Sequence, residues 1–149
     1  MTDTSELGEA AVAAVGARLA AVLRTGDVIG LSGDLGAGKT TLARAILAGL
    51  GLGGEAPSPT FAIVQPYDRP DVRLPVAHVD LYRLDDPDDC RELGLEDYAG
   101  DGALLIEWPE RLPAGAWPEM LRLRLDGRGS TRRLTATVPA AWEGRWPPR

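Results

Sequence analysis

The chain has 149 residues, 44% hydrophobic and 26% charged, with a formal net charge of -6 and a pI near 4.8. That size suits one domain with a substantial core, and the acidic balance argues against a protein whose main task is to grip a nucleic-acid backbone. The single cysteine, Cys90, excludes an internal disulfide and a cysteine-based zinc cluster. With no basic-then-apolar leader and no apolar run approaching the roughly 18 residues of a membrane span, a cytoplasmic protein is expected.

From Ser5 to about Arg24 the chain is rich in alanine and leucine, with Val12, Val15, Leu19 and Val22 or Leu23 three to four apart, which predicts an amphipathic helix. Gly26-Asp27 reads as a turn into a strand over Val28 to Ser32. After the loop that follows, a helix is expected from about Lys39 to Leu50, stopped by the glycines between 51 and 54. Ala62 to Tyr67 and Leu74 to Leu81 predict a hairpin around an Asp68 to Asp71 turn. Asp86-Pro87 caps a helix beginning between Asp85 and Asp89, and a second short helix covers Leu93 to Tyr98. Ala103 to Ile106, ending in Glu107, is a short unbroken apolar run typical of a buried strand. Leu121 to Leu125 alternates strictly and Leu134 to Val138 more weakly, predicting a second hairpin across Asp126 to Thr131; the end, from about residue 139 to 149, reads as an irregular tail. The arginines gathered there (Arg122, Arg124, Arg128, Arg132, Arg133) form either the solvated face of the antiparallel pair or a small basic patch.

The stretch that organises the rest is Gly33-Asp34-Leu35-Gly36-Ala37-Gly38-Lys39-Thr40-Thr41. Glycine, four residues, glycine, lysine and threonine, set between a strand and a helix, is the phosphate-loop pattern. Backbone N–H groups from Leu35 to Thr41 wrap phosphates, the open sides of Gly36 and Gly38 allow close approach, and the helix dipole favours the anion. Of the 16 basic residues 15 are arginine, and the only lysine is Lys39, where a compact ammonium reaches phosphates better than a planar guanidinium. Thr40 places a hydroxyl on Mg²⁺, and the metal needs an acidic partner at a strand end. Glu107 and Asp80 both qualify, as metal or water partners or simply as surface carboxylates. Strand alternation puts His78, Asp80 and Tyr82 on one side of their strand; His78 suits a structural or a functional role equally, while Tyr82 and Arg83 suit packing and surface charge. Thr60 lies where nucleotide switches place a threonine that senses the γ-phosphate. Absence of asparagine and of a second lysine excludes the Asn-Lys-x-Asp guanine element, so ATP is favoured over GTP.

Taken together, the phosphate loop, Ser58-Pro59-Thr60-Phe61, His78-Val79-Asp80-Leu81-Tyr82-Arg83-Leu84 and Ile106-Glu107-Trp108-Pro109-Glu110 resemble the bacterial TsaE (YjeE) family over about residues 5 to 138. The resemblance implies an α/β, P-loop NTPase-like three-layer sandwich, with helices flanking a mixed sheet that includes antiparallel hairpins, in a single domain spanning 1–149. It implies an ATPase needed for threonylcarbamoyladenosine at position 37 of tRNAs reading codons that begin with A, working with the TsaD and TsaB proteins and meeting tRNA only through that complex. Carried onto this sequence, it makes residues 33–41 and Trp108 the nucleotide contacts, Thr40 and Glu107 the Mg²⁺ partners, and Asp80, Lys39 and Thr60 the catalytic set. Hydrolysis would reset the complex between turnovers. The competing readings are a small-molecule or nucleoside kinase, with Arg83, Arg91 or Arg111 on a lid, and a nucleotide-dependent binding module.

Overall fold

The glycine-rich loop leaves the central strand of a seven-stranded mixed sheet in the computed structural model, which describes residues 2–34, 36–54, 63–127 and 131–147. In chain order the main elements are β1 (Thr2–Gly8), α1 (Glu9–Val22), β2 (Val28–Ser32), α2 (Lys39–Gly49), β3 (Val64–Tyr67), β4 (Val76–Asp80), α3 (Leu95–Asp101), β5 (Ala103–Glu107), β6 (Leu121–Asp126) and β7 (Thr131–Thr137). The spatial order is β1-β7-β6-β2-β5-β4-β3. β2 runs parallel to β5 and β6, and β4 parallel to β5; the β3–β4, β6–β7 and β1–β7 pairs are antiparallel.

Strand parity divides the core into two layers. Ala103 and Leu105 of β5 join Leu19, Ile46 and Leu47 beneath α1 and α2, whereas Leu104 and Ile106 face Val79, Leu81 and Leu95 on the α3 side. A strand covered on both faces must be apolar throughout, which is why residues 103–106 read as an unbroken hydrophobic run. The two hairpins and the buried strand therefore lie where their patterns put them, and the three-layer α/β architecture is as expected. α1 and α2 cross closely because small residues meet: a Cβ on Gly16 would collide with the Ala45 side chain, and one on Gly49 with Ala20. Asp86 caps a 3₁₀ helix over Pro87–Leu93 by accepting from Asp88 N–H at 3.0 Å, and α3 follows at once from Gly94, which turns the chain with φ of 65°.

The N-terminus differs from the expectation. The predicted helix from Ser5 starts only at Glu9; residues 2–8 are instead an edge strand registered against β7, with Thr4 opposite Thr135 and Leu7 opposite Arg132. The open edge of β7 supplies backbone partners for a polar segment that has no apolar period of its own. The C-terminal tail holds little regular structure, a single 3₁₀ turn at Ala140–Trp142, yet Trp142 is wholly buried in the α1/α2 layer. Arg145 returns to the α1–β2 turn and grips both oxygens of Asp27, at 2.7 and 3.0 Å, while its guanidinium lies over the Trp142 ring. Among the described residues, no helix is long and apolar enough to cross a membrane.

Candidate nucleotide site

β2 delivers the chain to the loop, and α2 receives it. Gly33 must be glycine: its φ is 135°, and a Cβ there would strike the carbonyl oxygen of Leu125 on β6. Gly38 takes φ of 105° at the N-cap of α2, where no side chain caps the helix, so the first-turn N–H groups stay open to an anion. Inside the loop, Ala37 N–H donates to Asp34 O at 3.0 Å, closing a turn around Gly36. Leu35 and Thr60, with the rest of the Ser58 to Phe61 motif, lie outside the described residues.

Lys39 is buried, and its ammonium donates to Gly33 O at 2.6 Å and Asp34 O at 2.8 Å. It also sits 4.4 Å from the ring centroid of Trp108, a favourable cation–π distance. Burial lowers its pKa below the ordinary lysine value, against the opposing pull of Glu107, Glu110, Asp80 and Asp34. Trp108 has φ of 62°, so the chain bends sharply after β5; its indole is also 5.0 Å from the ring of Tyr82.

Parallel pairing of β4 with β5 sets Asp80 directly opposite Glu107, both at strand ends beside the loop. Glu107 is 2% exposed and has a separate partner for each oxygen: Thr40 Oγ1 donates to Oε1 at 2.8 Å, and His78 Nε2 lies 2.7 Å from Oε2. An ionised carboxylate only accepts, so with Glu107 ionised the imidazole carries a proton on Nε2. The His78 Nδ1 is buried without a partner among the described residues. Asp80 is half-buried; burial pushes its carboxyl above the ordinary aspartate value, opposed by the Tyr82 N–H that donates to Oδ1 at 3.0 Å. Lys39, Thr40, Asp80, Glu107 and Trp108 thus line one cleft of about 430 Å³ along with Gly36, Gly38 and Thr41.

Hydroxyl and carboxylate oxygens are hard donors, so the Thr40–Glu107 pair suits Mg²⁺ chemically. Of the described residues expected at the site, Gly36, Gly38, Lys39, Thr40, Thr41, Asp80, Glu107 and Trp108 share the cleft while Gly33, Asp34 and Ala37 do not line it, and His78 joins through Glu107.

Arg132 was missed. Its Nε donates to Ala37 O at 3.0 Å and its Nη2 to Gly36 O at 3.4 Å. A second cavity of about 270 Å³ opens on that side of the loop, between Glu9 and Val12 of α1 and Leu125 and Arg132 of the β6–β7 hairpin. A signal was present: residues 132, 134 and 136 share one strand face, and Leu134 and Ala136 are buried.

The sequence model of the family described as threonylcarbamoyl adenosine biosynthesis protein TsaE matches residues 7–134. The chain belongs to the TsaE family. A relative named tRNA threonylcarbamoyladenosine biosynthesis protein TsaE, from Streptomyces coelicolor, is 42% identical over 113 residues, spanning 75% of this chain and 76% of its own. The Bacillus subtilis protein of the same name is 39% identical over 115 residues, 76% of this chain and 70% of its own. In three dimensions the chain is similar to the crystal structure of Bacillus subtilis YdiB, with a TM-score of 0.71 and 31% identity over 95% of this chain and 89% of that one. The match to the TsaE model stops at residue 134, so the packed tail with Trp142 and Arg145 lies beyond it.

Proposed function

We propose that this TsaE-family chain acts in tRNA threonylcarbamoyladenosine biosynthesis as a Mg²⁺-dependent ATPase of one domain in the cytoplasm. It works with the TsaD and TsaB proteins, and its hydrolysis resets their complex between turnovers. The observation that carries the reading is the linkage of Thr40 to Glu107, with Lys39 and Asp80 in the same cleft. A phosphate loop alone says that an anion binds; a hydroxyl and an acid joined beside it add a metal site, and a second acid adds a partner for water.

Lys39 and the open N–H groups of α2 bind the phosphates, and Thr40 and Glu107 hold the metal. Mg²⁺, when bound, neutralises charge developing on the phosphate oxygens. His78 holds Glu107 by Oε2, which leaves Oε1 turned to Thr40. Asp80, whose Oδ1 accepts from the Tyr82 N–H, orients the attacking water. Trp108 shields the Lys39 ammonium from solvent, and Thr60 senses the γ-phosphate. Among the described residues the cations lining the cleft are Lys39 and the exposed Arg83; a partner completes or orders the site, and the purified protein alone turns over slowly. With a net charge of -6, contact with tRNA runs through the complex.

The test is ATPase activity titrated with TsaB and TsaD, comparing wild type with Asp80→Ala and Glu107→Ala. Expected are stimulation by the partners, loss of turnover with binding retained in Asp80→Ala, and loss of Mg²⁺-dependent binding in Glu107→Ala. A rate indifferent to the partners would overturn the accessory role. Stoichiometric phosphate transfer to a small acceptor would replace it with a kinase.

A further inference from the structure

Parity on β7 separates its two adjacent arginines. Arg133 is exposed and pairs with Glu6 of β1 at 3.3 Å, whereas Arg132 shares the face of buried Leu134 and Ala136 and runs off its end to the loop. Nε of Arg132 holds Ala37 O and Nη2 holds Gly36 O, while Nη1 lies 3.3 Å from Thr131 O on its own strand. Two consecutive loop carbonyls are thereby drawn towards β7.

A trans peptide points its carbonyl and the following N–H in opposite directions. Drawing Ala37 O to β7 therefore turns the Gly38 N–H away from β7, and Gly38 lines the cleft together with Lys39 and Thr40. The Gly36–Ala37 peptide obeys the same rule, but its N–H is engaged by Asp34 O at 3.0 Å, so there the arginine steadies the turn. Gly38 stands at φ of 105°, a conformation open to glycine but not enforced by it. A charged donor on the neighbouring carbonyl restricts that freedom and polarises the peptide in the sense that strengthens its N–H.

We propose that Arg132 is a positioning residue for phosphate binding: from outside the loop, it fixes the Ala37–Gly38 peptide with its N–H facing the nucleotide. This rests on reading the loop as a nucleotide cradle. The residue acts through the backbone and does not touch the phosphates, so its contribution is the same for a diphosphate and a triphosphate. It also makes the β6–β7 hairpin part of the binding machinery.

The test is calorimetric titration of the full chain with ADP and with a non-hydrolysable ATP analogue, each with Mg²⁺, alongside melting temperatures without nucleotide. Arg132→Ala is expected to weaken both ligands by about 10-fold, the scale of a charge-assisted hydrogen bond. Arg132→Lys, which keeps one donor, recovers part of the loss; Arg124→Ala, on the exposed side of the same hairpin, changes neither ligand. The melting temperature of Arg132→Ala stays within about 4 °C of wild type. Wild-type affinity in Arg132→Ala, with Lys39→Ala crippled, overturns the proposal and spares the nucleotide site. A loss confined to the triphosphate overturns it in favour of direct contact. A loss that tracks the melting temperature with no recovery in Arg132→Lys overturns it in favour of a structural role. If Lys39→Ala also binds as wild type, the nucleotide reading itself fails, and this inference with it.

Discussion

The parallel centre of the sheet and its β6–β7–β1 flank are built by opposite rules. β2, β4 and β5 are buried on both faces, and each ends at the cleft: β2 at the loop, β4 at Asp80, β5 at Glu107. Parallel strands bring their carboxyl ends to one edge, so three separate stretches of chain meet without any loop having to reach. In the flank, β6 alternates buried leucines with exposed Arg122 and Arg124, and among the described residues the flank meets the loop through Leu125, behind Gly33, and Arg132, behind Gly36 and Ala37. On the proposed function, the centre carries the chemistry and the flank the shape of the loop. Side chains that act on a ligand must end at the shared edge, whereas those that shape a loop can come from any strand able to reach its outer side.

Substitutions that respect or violate this division test it. The largest expected effect is on stability, from the tail that packs under α1 and α2. Trp142→Ala removes a fully buried indole and should cost about 3–5 kcal/mol, read as a fall of about 6–20 °C in melting temperature, with turnover per folded molecule unchanged. A change in turnover that survives correction for folding would erase the boundary between shape and chemistry. Next is Asp80→Asn in the centre, expected to lower ATP turnover about 100-fold or more while ADP affinity stays within about twofold. Because burial raises the Asp80 pKa, the acid limb of the wild-type rate profile should lie above the ordinary aspartate range, and turnover should fall as pH drops through it. The sign for stability is opposite: a carboxyl whose folded pKa is raised opposes folding once ionised, so Asp80→Asn should melt no lower than wild type near neutral pH. A clear drop in melting temperature would make Asp80 structural.

His78→Gln is expected to raise the Mg²⁺ concentration needed for half-maximal turnover by about 10-fold. The range for residues that orient a metal ligand is about 10–100-fold, and glutamine keeps a donor in place of the imidazole. An unchanged Mg²⁺ requirement would remove His78 from the site. The smallest effect belongs to Arg133→Ala on the flank, whose pair with Glu6 is more than half exposed at both ends and should contribute no more than about 1 kcal/mol, checked by chemical denaturation.

The loop, its helix, the buried strand and both hairpins were legible because each depends on local pattern: glycine and lysine spacing, a period of 3.6, a period of two, or an unbroken apolar run. Glu107 and Asp80 were legible as acids at strand ends. Their division of work was not, since only the structure puts Thr40 and His78 on different oxygens of Glu107. Strand β1 was hidden because its alanine-rich neighbour dominates the helical period and its pairing partner comes from the far end of the chain. Trp142 and Arg145 sit in a segment without periodicity, so their burial depends on a gap left by other elements.

By itself, the sequence determined the α/β class, the phosphate loop and the identity of most residues around it, because strands, helices and glycine turns answer to neighbours a few positions away. The tertiary structure decided which acid meets the Thr40 hydroxyl, which arginine holds the loop from behind, and what seals the base of α1. Those are encounters between residues distant in the chain, and the order and register of the strands, not any local preference, bring them together.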